Sequence, residues 1–90
     1  MAFERYRHCE FMLPMDRDLL LDAADAAGVY EETQVLEVEC GIGTALSWLA
    51  RERGCSGLGV DPRERLLIEA ARRAVRLGVV ERVSFVARAI

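Results

Sequence analysis

The sequence predicts an α/β fold built on a parallel sheet, and two observations carry that prediction. Short, apolar, β-branched stretches alternate with longer stretches in which apolar residues recur at helical spacing. Glycine or proline separates almost every pair of neighbouring stretches. Alternating strands and helices form parallel sheets with right-handed crossovers, so the expected strand order is 3-2-1.

Length and composition limit the classes of protein that need to be considered. At 90 residues, with 52% hydrophobic and 30% charged residues, the chain is at most one folded domain. A net charge of −3 gives no reason to expect nucleic acid or an anionic membrane as a partner. No apolar run approaches the roughly 20 residues of a membrane span, and the N-terminus is too charged for a signal peptide.

The three cysteines are an odd number at wide spacing, and they form neither a zinc pattern nor an evident disulfide framework. We therefore expect no metal site, and a reduced cytoplasmic protein with free thiols. Cys40 has no visible histidine partner, which argues against a catalytic thiol.

The predicted elements follow one another without a long linker. Residues 1–14 lack a clear period and are expected to form an N-terminal arm ahead of a single domain over 15–90. The expected elements are α1 (16–27), β1 (34–39), α2 (44–53), β2 (56–61), α3 (62–77) and β3 (82–87). This arrangement corresponds to one half of a Rossmann-like three-layer sandwich, preceded by a helix.

The start of α3 has the strongest local signal. Asp61 is placed to cap the helix, Pro62 stands at the first helical position, and Glu64 follows three residues after the cap. Its expected inward stripe comprises Leu66, Leu67, Ala70, Ala71, Ala74 and Val75.

A glycine turn between β1 and α2 is the first candidate for ligand binding. Gly41 and Gly43 allow positive φ or a close approach of a ligand to the backbone, and the first N–H groups of α2 would face that ligand. About twenty residues later, Asp61 ends β2, where a carboxylate can accept hydrogen bonds from both hydroxyls of a ribose. As a simple alternative, Asp61 is only a helix cap.

Two cofactor classes share this layout. A dinucleotide fingerprint requires G-x-G-x-x-G, whereas the sequence from Gly41 has Leu46 in place of the third glycine. The stretch "VLEVECGIG" instead resembles the first motif of class I S-adenosylmethionine-dependent methyltransferases, and "LGVDPRERLLIEAARRAVRLGVVERVSFV" resembles the stretch that follows it. The resemblance covers about residues 16–87, but only the first half of such an enzyme.

The resemblance implies S-adenosylmethionine as cofactor and assigns roles to single residues. Glu37 would support the methionine end of the cofactor, often through water. Asp61 would bind the ribose hydroxyls, and Pro62 would lie near the adenine face. Cys40 would be a small packing residue within a turn that wraps the cofactor, and that turn includes Gly41 and Gly43.

Three departures from the family pattern limit what the resemblance implies. Glu39 occupies the place of the first glycine of the motif, where a long carboxylate would crowd the amino-acid end of the cofactor. At this strand end, glycine would cost about 0.5–1 kcal/mol in stability. Ala89 stands where the family has an acid that reads adenine, and strands β4 to β7 of the family have no counterpart.

Two hypotheses about function follow. The chain is the cofactor-binding portion of a methyltransferase, with an unknown acceptor, no catalytic residue of its own and no activity in isolation. Alternatively, it is a degenerate domain that acts in binding or assembly without catalysis.

A final expectation concerns association. In the expected sheet, β1 lacks a neighbour on one side, which exposes unpaired backbone groups along an apolar edge. We therefore expect self-association or a partner chain along β1, unless residues 1–14 fold over it.

Overall fold

The computed structural model describes residues 17–89, in which three helices and three strands alternate along the chain. The elements are α1 (Arg17–Ala27), β1 (Gln34–Val38), α2 (Thr44–Arg53), β2 (Ser56–Asp61), α3 (Glu64–Leu77) and β3 (Val83–Ala87). The expected N-terminal arm, residues 1–14, lies outside the described residues.

The three strands form one parallel sheet in which β2 lies between β1 and β3. In this register Glu37 of β1 lies opposite Gly59 of β2, which in turn lies opposite Phe85 of β3. The expected strand order and the parallel direction are therefore confirmed, together with the helix that precedes the sheet. The carboxyl ends of β1 and β2 lie side by side, which brings the turn after β1 next to Asp61.

The core lies between one face of the sheet and the helices α2 and α3, which also contact each other. Small residues allow this close packing, since Ala50, Ala70 and Ala74 are almost fully buried. The buried core cluster comprises Leu46, Ala50, Ala74, Val79 and Val83, with Val35, Leu77 and Phe85 packed against it.

A glycine on β2 determines how closely α2 approaches the sheet. A Cβ atom on Gly57 would lie 2.5 Å from Cδ1 of Leu46 and 2.7 Å from the carbonyl oxygen of Val35. Leu46 is the residue that stands where a dinucleotide fingerprint has its third glycine. In a dinucleotide-binding fold, a glycine on the helix allows the helix to pack closely on the sheet. In this chain the glycine is on the strand, at Gly57, and the helix contributes the large side chain of Leu46.

Helix α1 is attached to α2 at the side of the structure. Arg53 of α2 donates two hydrogen bonds to the carboxylate of Asp25 in α1, at 2.6 and 3.0 Å. The guanidinium carbons of Arg17 and Arg51 lie 4.9 and 5.2 Å from the ring centre of Trp48. The cation–π contact of Arg17 with Trp48 joins α1 to α2, whereas that of Arg51 lies within α2.

The second face of the sheet is apolar and exposed among the described residues. Leu36 and Val38 of β1 are 64% and 50% exposed, and Leu58 of β2 and Val86 of β3 are 36% and 38% exposed. These residues alternate with those that face the helices, as the two-residue period of a strand requires. We refer to Leu36, Val38, Leu58 and Val86 as the open sheet face.

The start of α3 differs from the sequence prediction. Asp61 is the last residue of β2, and the helix begins at Glu64, with Arg63 at the N-cap position in an extended conformation. Pro62 is therefore not the first helical residue, because Pro62 and Arg63 connect the end of β2 to the first turn of the helix. The expected inward stripe is also wrong at Ala71 and Val75, since both residues are exposed, Val75 by 64%.

Candidate functional site

The turn between β1 and α2 is held against β2 by backbone hydrogen bonds. The N–H of Cys40 donates to the carbonyl of Val60 at 3.1 Å, and the N–H of Gly43 donates to the carbonyl of Cys40 at 2.9 Å. The chain therefore leaves β1, turns tightly over the end of β2 and enters α2. This geometry places the turn and Asp61 in direct contact.

Asp61 is the centre of this site. Its side chain is fully buried, and its carboxylate accepts four hydrogen bonds. Oδ2 accepts the backbone N–H of Gly41 at 3.0 Å and Nη2 of Arg63 at 2.8 Å. Oδ1 accepts the backbone N–H of Arg63 at 2.9 Å and its Nε at 2.8 Å. The Arg63 side chain, followed by its backbone N–H and that of Gly41, lowers the pKa of Asp61 to about 2.

Asp61 is therefore not the N-cap of α3, and the simple alternative of a helix cap is wrong. A carboxylate with so low a pKa is ionised throughout the neutral range, so it acts only as a hydrogen-bond acceptor. Its contact with the N–H of Gly41 joins the glycine turn to the end of β2.

Gly43 is required by packing as well as by backbone conformation. It is the N-cap residue of α2, with φ of 71°, in the left-handed region that favours glycine. A Cβ atom there would lie 2.7 Å from Cε1 of Phe85 and 3.0 Å from Cβ of Ala70. The position of Gly43 is thus explained by the contact between the turn, β3 and α3, independently of any ligand.

Cys40 is buried beneath the turn. A Cβ atom on Gly59 would lie 2.8 Å from the Cys40 sulfur, so the thiol fills the space above this glycine. Burial raises the pKa of Cys40 to about 12, and the negative charges of Glu37 and Asp61 act in the same direction. The thiol is therefore neutral at physiological pH, which is unsuitable for a nucleophile.

Glu37 lies on the inward face of β1 and approaches the N-terminus of α2. Burial raises the pKa of its carboxyl group to about 7, and a hydrogen bond from the backbone N–H of Leu46 opposes this shift. Within residues 17–89, its Oε1 atom is buried and has no hydrogen-bond partner. Ionisation of Glu37 therefore leaves a poorly compensated charge in the site.

Glu39 follows β1 instead of ending it, and its φ of 55° lies in the left-handed region. It is the only non-glycine residue in the described part of the chain with positive φ. The sequence prediction placed Glu39 in a strand, where glycine would be unfavourable. The structure reverses that expectation, because a left-handed residue with a Cβ atom is the strained choice.

Three further polar residues, Arg63, Thr44 and Ser47, lie at the site without a clear sequence signal for a role there. Arg63 binds Asp61, and the only sequence signal for this pair is the spacing of an arginine two residues after the acid. Thr44 and Ser47, at the start of α2, each carry a buried hydroxyl oxygen without a hydrogen-bond partner among the described residues. Pro62, in contrast, is exposed beside Asp61.

Within residues 17–89 no three His, Cys, Asp or Glu side chains are grouped as a metal site would require. In the same range no helix has the length and apolar character needed to cross a membrane. The candidate site is therefore defined by backbone N–H groups and carboxylates.

Comparison with solved structures identifies the fold as that of the class I S-adenosylmethionine-dependent methyltransferases. A methyltransferase from Geobacter sulfurreducens in complex with S-adenosyl-L-homocysteine superimposes with a TM-score of 0.81 and 30% identity, over 90% of this chain and 32% of that chain. The corresponding complex from Thiobacillus denitrificans has a TM-score of 0.82 and 28% identity, over 90% and 33% of the two chains. The chain thus spans about a third of these structures.

YjhP of Escherichia coli, an uncharacterised protein, is similar in both sequence and structure. It is 41% identical over 54 residues, which represent 60% of this chain and 22% of YjhP. Its crystal structure has a TM-score of 0.80 and covers 91% of this chain and 33% of that one. No family model matches the sequence.

Replacement of Glu39 by glycine is expected to stabilise the protein. Glycine removes the Cβ strain of the left-handed conformation, about 1–2 kcal/mol, and this gain is partly offset by the greater entropy of glycine in the unfolded chain. The net increase in the free energy of unfolding should be about 0.5–1 kcal/mol, measured by urea denaturation. Glu39→Ala is the matched control, since it removes the carboxylate but keeps the Cβ atom. Equal stability of Glu39→Gly and Glu39→Ala would contradict the view that the left-handed backbone of residue 39 destabilises the protein.

Glu37 is expected to make stability depend on pH. Its folded pKa of about 7 lies above the ordinary value of 4.5, so the folded state retains a proton that the unfolded state loses. The resulting stability is fully present below pH 4.5 and is lost as the pH rises through 7, by about 3 kcal/mol at most. Urea denaturation between pH 5 and 8 should show this loss in the wild type and not in Glu37→Gln. Asp61 contributes no slope there, because its pKa is lowered to about 2. Parallel pH profiles for the two proteins would rule out Glu37 as the cause.

Proposed function

We propose that the chain is the S-adenosylmethionine-binding portion of a methyltransferase, and that it binds this cofactor and S-adenosylhomocysteine at the carboxyl edge of the sheet. The observation that carries the proposal is the fully buried, ionised carboxylate of Asp61, which is bound to the glycine turn through the N–H of Gly41. The solved structures with bound S-adenosylhomocysteine support the same ligand class.

Asp61 is proposed to bind the ribose. Two neighbouring hydroxyl groups can each donate a hydrogen bond to one carboxylate oxygen, and bonds to a charged acceptor are stronger than neutral ones. The pKa of Asp61, lowered to about 2, keeps the acceptor charged at every pH relevant to a cell. Burial at the end of β2 fixes its orientation, so that little entropy is lost when the ligand binds.

Glu37 and the turn over residues 39–43 are proposed to hold the methionine end of the cofactor. The unpartnered Oε1 of Glu37 is a suitable acceptor for an ammonium group, directly or through water. A positive charge there would favour ionisation of Glu37, whose pKa burial raises to about 7. Cys40 would serve as a neutral packing group beneath the turn.

Two further residues are assigned by their places around this site. Pro62 is exposed directly after Asp61, which suits contact with the face of an adenine ring. Glu39 lies at the entrance to the glycine turn, where we propose that its carboxylate repels that of the cofactor. It would thereby weaken binding relative to a glycine at this position.

The described residues have binding roles in this proposal. Bound S-adenosylmethionine supplies an electrophilic methyl group on its sulfonium sulfur. Transfer requires an acceptor held in line with that methyl group, and such positioning provides much of the catalysis. We assign no described residue to this task, so we propose cofactor binding as the contribution of this chain. The acceptor is not assigned.

The second candidate function is binding or assembly without methyl transfer. It is favoured by Glu39, which has a strained backbone and places a carboxylate where the family motif has glycine. It is also favoured by Arg63, whose side chain already binds Asp61, the proposed ribose-binding acid. Cofactor affinity separates the two functions, because a degenerate domain has no need to retain it.

Binding of S-adenosylhomocysteine should depend on Asp61. Asp61→Asn retains the shape of the side chain but removes its charge, so affinity should fall by about 1.5–3 kcal/mol, roughly 10- to 150-fold. Isothermal titration calorimetry measures this loss, after circular dichroism has shown that the variant is folded. Asp22→Asn, in the exposed part of α1, is the matched control. Equal affinities of the wild type and Asp61→Asn would contradict the site assignment.

We also propose that the chain associates along β1, with a second copy or with a partner chain. Unpaired N–H and C=O groups at a strand edge favour pairing with another strand. The open sheet face adds exposed apolar surface beside this edge, chiefly through Leu36 and Val38. Two copies paired through β1 around a two-fold axis would form a six-stranded sheet.

Light scattering coupled to gel filtration should therefore show dimers or larger species at micromolar concentration. Leu36→Lys places a charge on the open sheet face within β1 and should shift the protein towards monomer. Ser84→Lys, on β3 at the opposite edge of the sheet from β1, is the control and should leave the mass unchanged. A monodisperse, cooperatively unfolding wild-type monomer would rule out association and would favour coverage of β1 by residues 1–14.

A reducing cytoplasmic location is proposed for the same protein. Cys40 and Cys55 are both buried and unpaired. Free buried thiols are common in compartments where thiols are kept reduced.

A further inference from the structure

The carboxylate of Asp61 has no remaining capacity for a ligand in the arrangement described. A carboxylate offers about four lone-pair positions. Two are used by the backbone N–H groups of Gly41 and Arg63, at 3.0 and 2.9 Å. The other two are used by Nε and Nη2 of Arg63, each at 2.8 Å. A pair of ribose hydroxyls needs two acceptor positions, the same number that the guanidinium occupies.

We propose that Arg63 competes with ribose for Asp61, so that its side chain must leave the carboxylate before the two hydroxyls bind. This inference rests on the proposed cofactor role of Asp61 and goes beyond it, because it assigns the affinity and ribose dependence of the site to Arg63. Arg63 is thus a specificity-determining residue, because two N–H groups of its guanidinium occupy the acceptor positions that the two ribose hydroxyls would use.

The geometry allows this exchange. The side chain of Asp61 is fully buried, whereas that of Arg63 is 45% exposed, so the arginine can move towards solvent while the acid stays in place. The two backbone N–H groups keep their bonds to the carboxylate when the side chain leaves. Half of the hydrogen bonds to Asp61 are therefore permanent, and the other half are exchangeable.

The negative charge of Glu39 adds to the attraction that keeps the Arg63 guanidinium in the site. The hydrogen bonds to Asp61, followed by the negative charges of Asp61 and Glu39, raise the pKa of the Arg63 guanidinium, so it remains a cation at all pH values of interest. A bidentate guanidinium–carboxylate pair is stronger than a pair of neutral hydrogen bonds. Ribose hydroxyls also bond to a charged acceptor but carry no charge of their own, so exchanging the guanidinium for ribose at Asp61 leaves little net gain. Without the ligand, Nε and Nη2 of Arg63 supply two of the four donors that the buried carboxylate of Asp61 requires.

The competition predicts a gain of affinity when the guanidinium is removed. Isothermal titration calorimetry with S-adenosylhomocysteine should show roughly tenfold tighter binding for Arg63→Met than for the wild type. Arg65→Met removes the same charge from the exposed start of α3 and should change affinity less than about twofold. The 2′,3′-dideoxy analogue of S-adenosylhomocysteine cannot displace Arg63, so it should bind the wild type and Arg63→Met equally.

The possible results separate this inference from the proposed function. If the wild type and Arg63→Met bind S-adenosylhomocysteine equally, competition is excluded while the cofactor role stands. An equal gain for the ligand and its dideoxy analogue also excludes competition, since it reflects charge alone. Binding by Arg63→Met and not by the wild type would support both proposals, and binding by neither protein would overturn both.

A second variant covers the case in which Arg63→Met fails to fold. Arg63→Lys keeps the charge, but a single ammonium group cannot form the bidentate pair. It should bind S-adenosylhomocysteine at least threefold more tightly than the wild type. An unchanged affinity for this variant would overturn the proposal.

Discussion

The four hydrogen bonds to the buried carboxylate of Asp61 are the interaction on which the rest of the site depends. They join the turn at Gly41, 20 residues earlier in the sequence, to the end of β2 and to Arg63, which immediately precedes α3. A buried charge without these donors would be strongly unfavourable, since each unsatisfied group costs about 1–3 kcal/mol or more. The bond from Gly41 therefore holds the turn after β1 against the end of β2, and the bonds from Arg63 hold the segment that leads into α3.

Close packing beneath the turn supports the same geometry. Gly57 and Gly59 leave room on β2 for the side chains of Leu46 and Cys40, and Gly43 lies against the ring of Phe85. The glycines therefore have a structural reason to be present, whether or not a ligand approaches them. A glycine motif by itself is weak evidence for a cofactor, and the arrangement of carboxylates around it carries more of the functional argument.

Glu37 in β1 and Glu39 in the turn show how the site departs from the most stable arrangement. Glu37 is buried enough to raise its pKa to about 7, and Glu39 adopts a left-handed backbone conformation. Neither feature is explained by folding alone, because a neutral residue at 37 and a glycine at 39 would each be less costly. Strain of this kind is often concentrated at functional sites.

The sequence by itself determined the element order, the parallel sheet and its strand order, because strand and helix periodicities are local and crossovers have one hand. It also determined that the glycine turn and Asp61 lie together, since both follow strands that end at the same edge. Only the tertiary structure decided that Asp61 binds Arg63, that α3 begins at Glu64, and that Glu39 has positive φ. Side-chain pairing and backbone dihedrals depend on contacts between segments, and residue patterns along one segment do not specify such contacts.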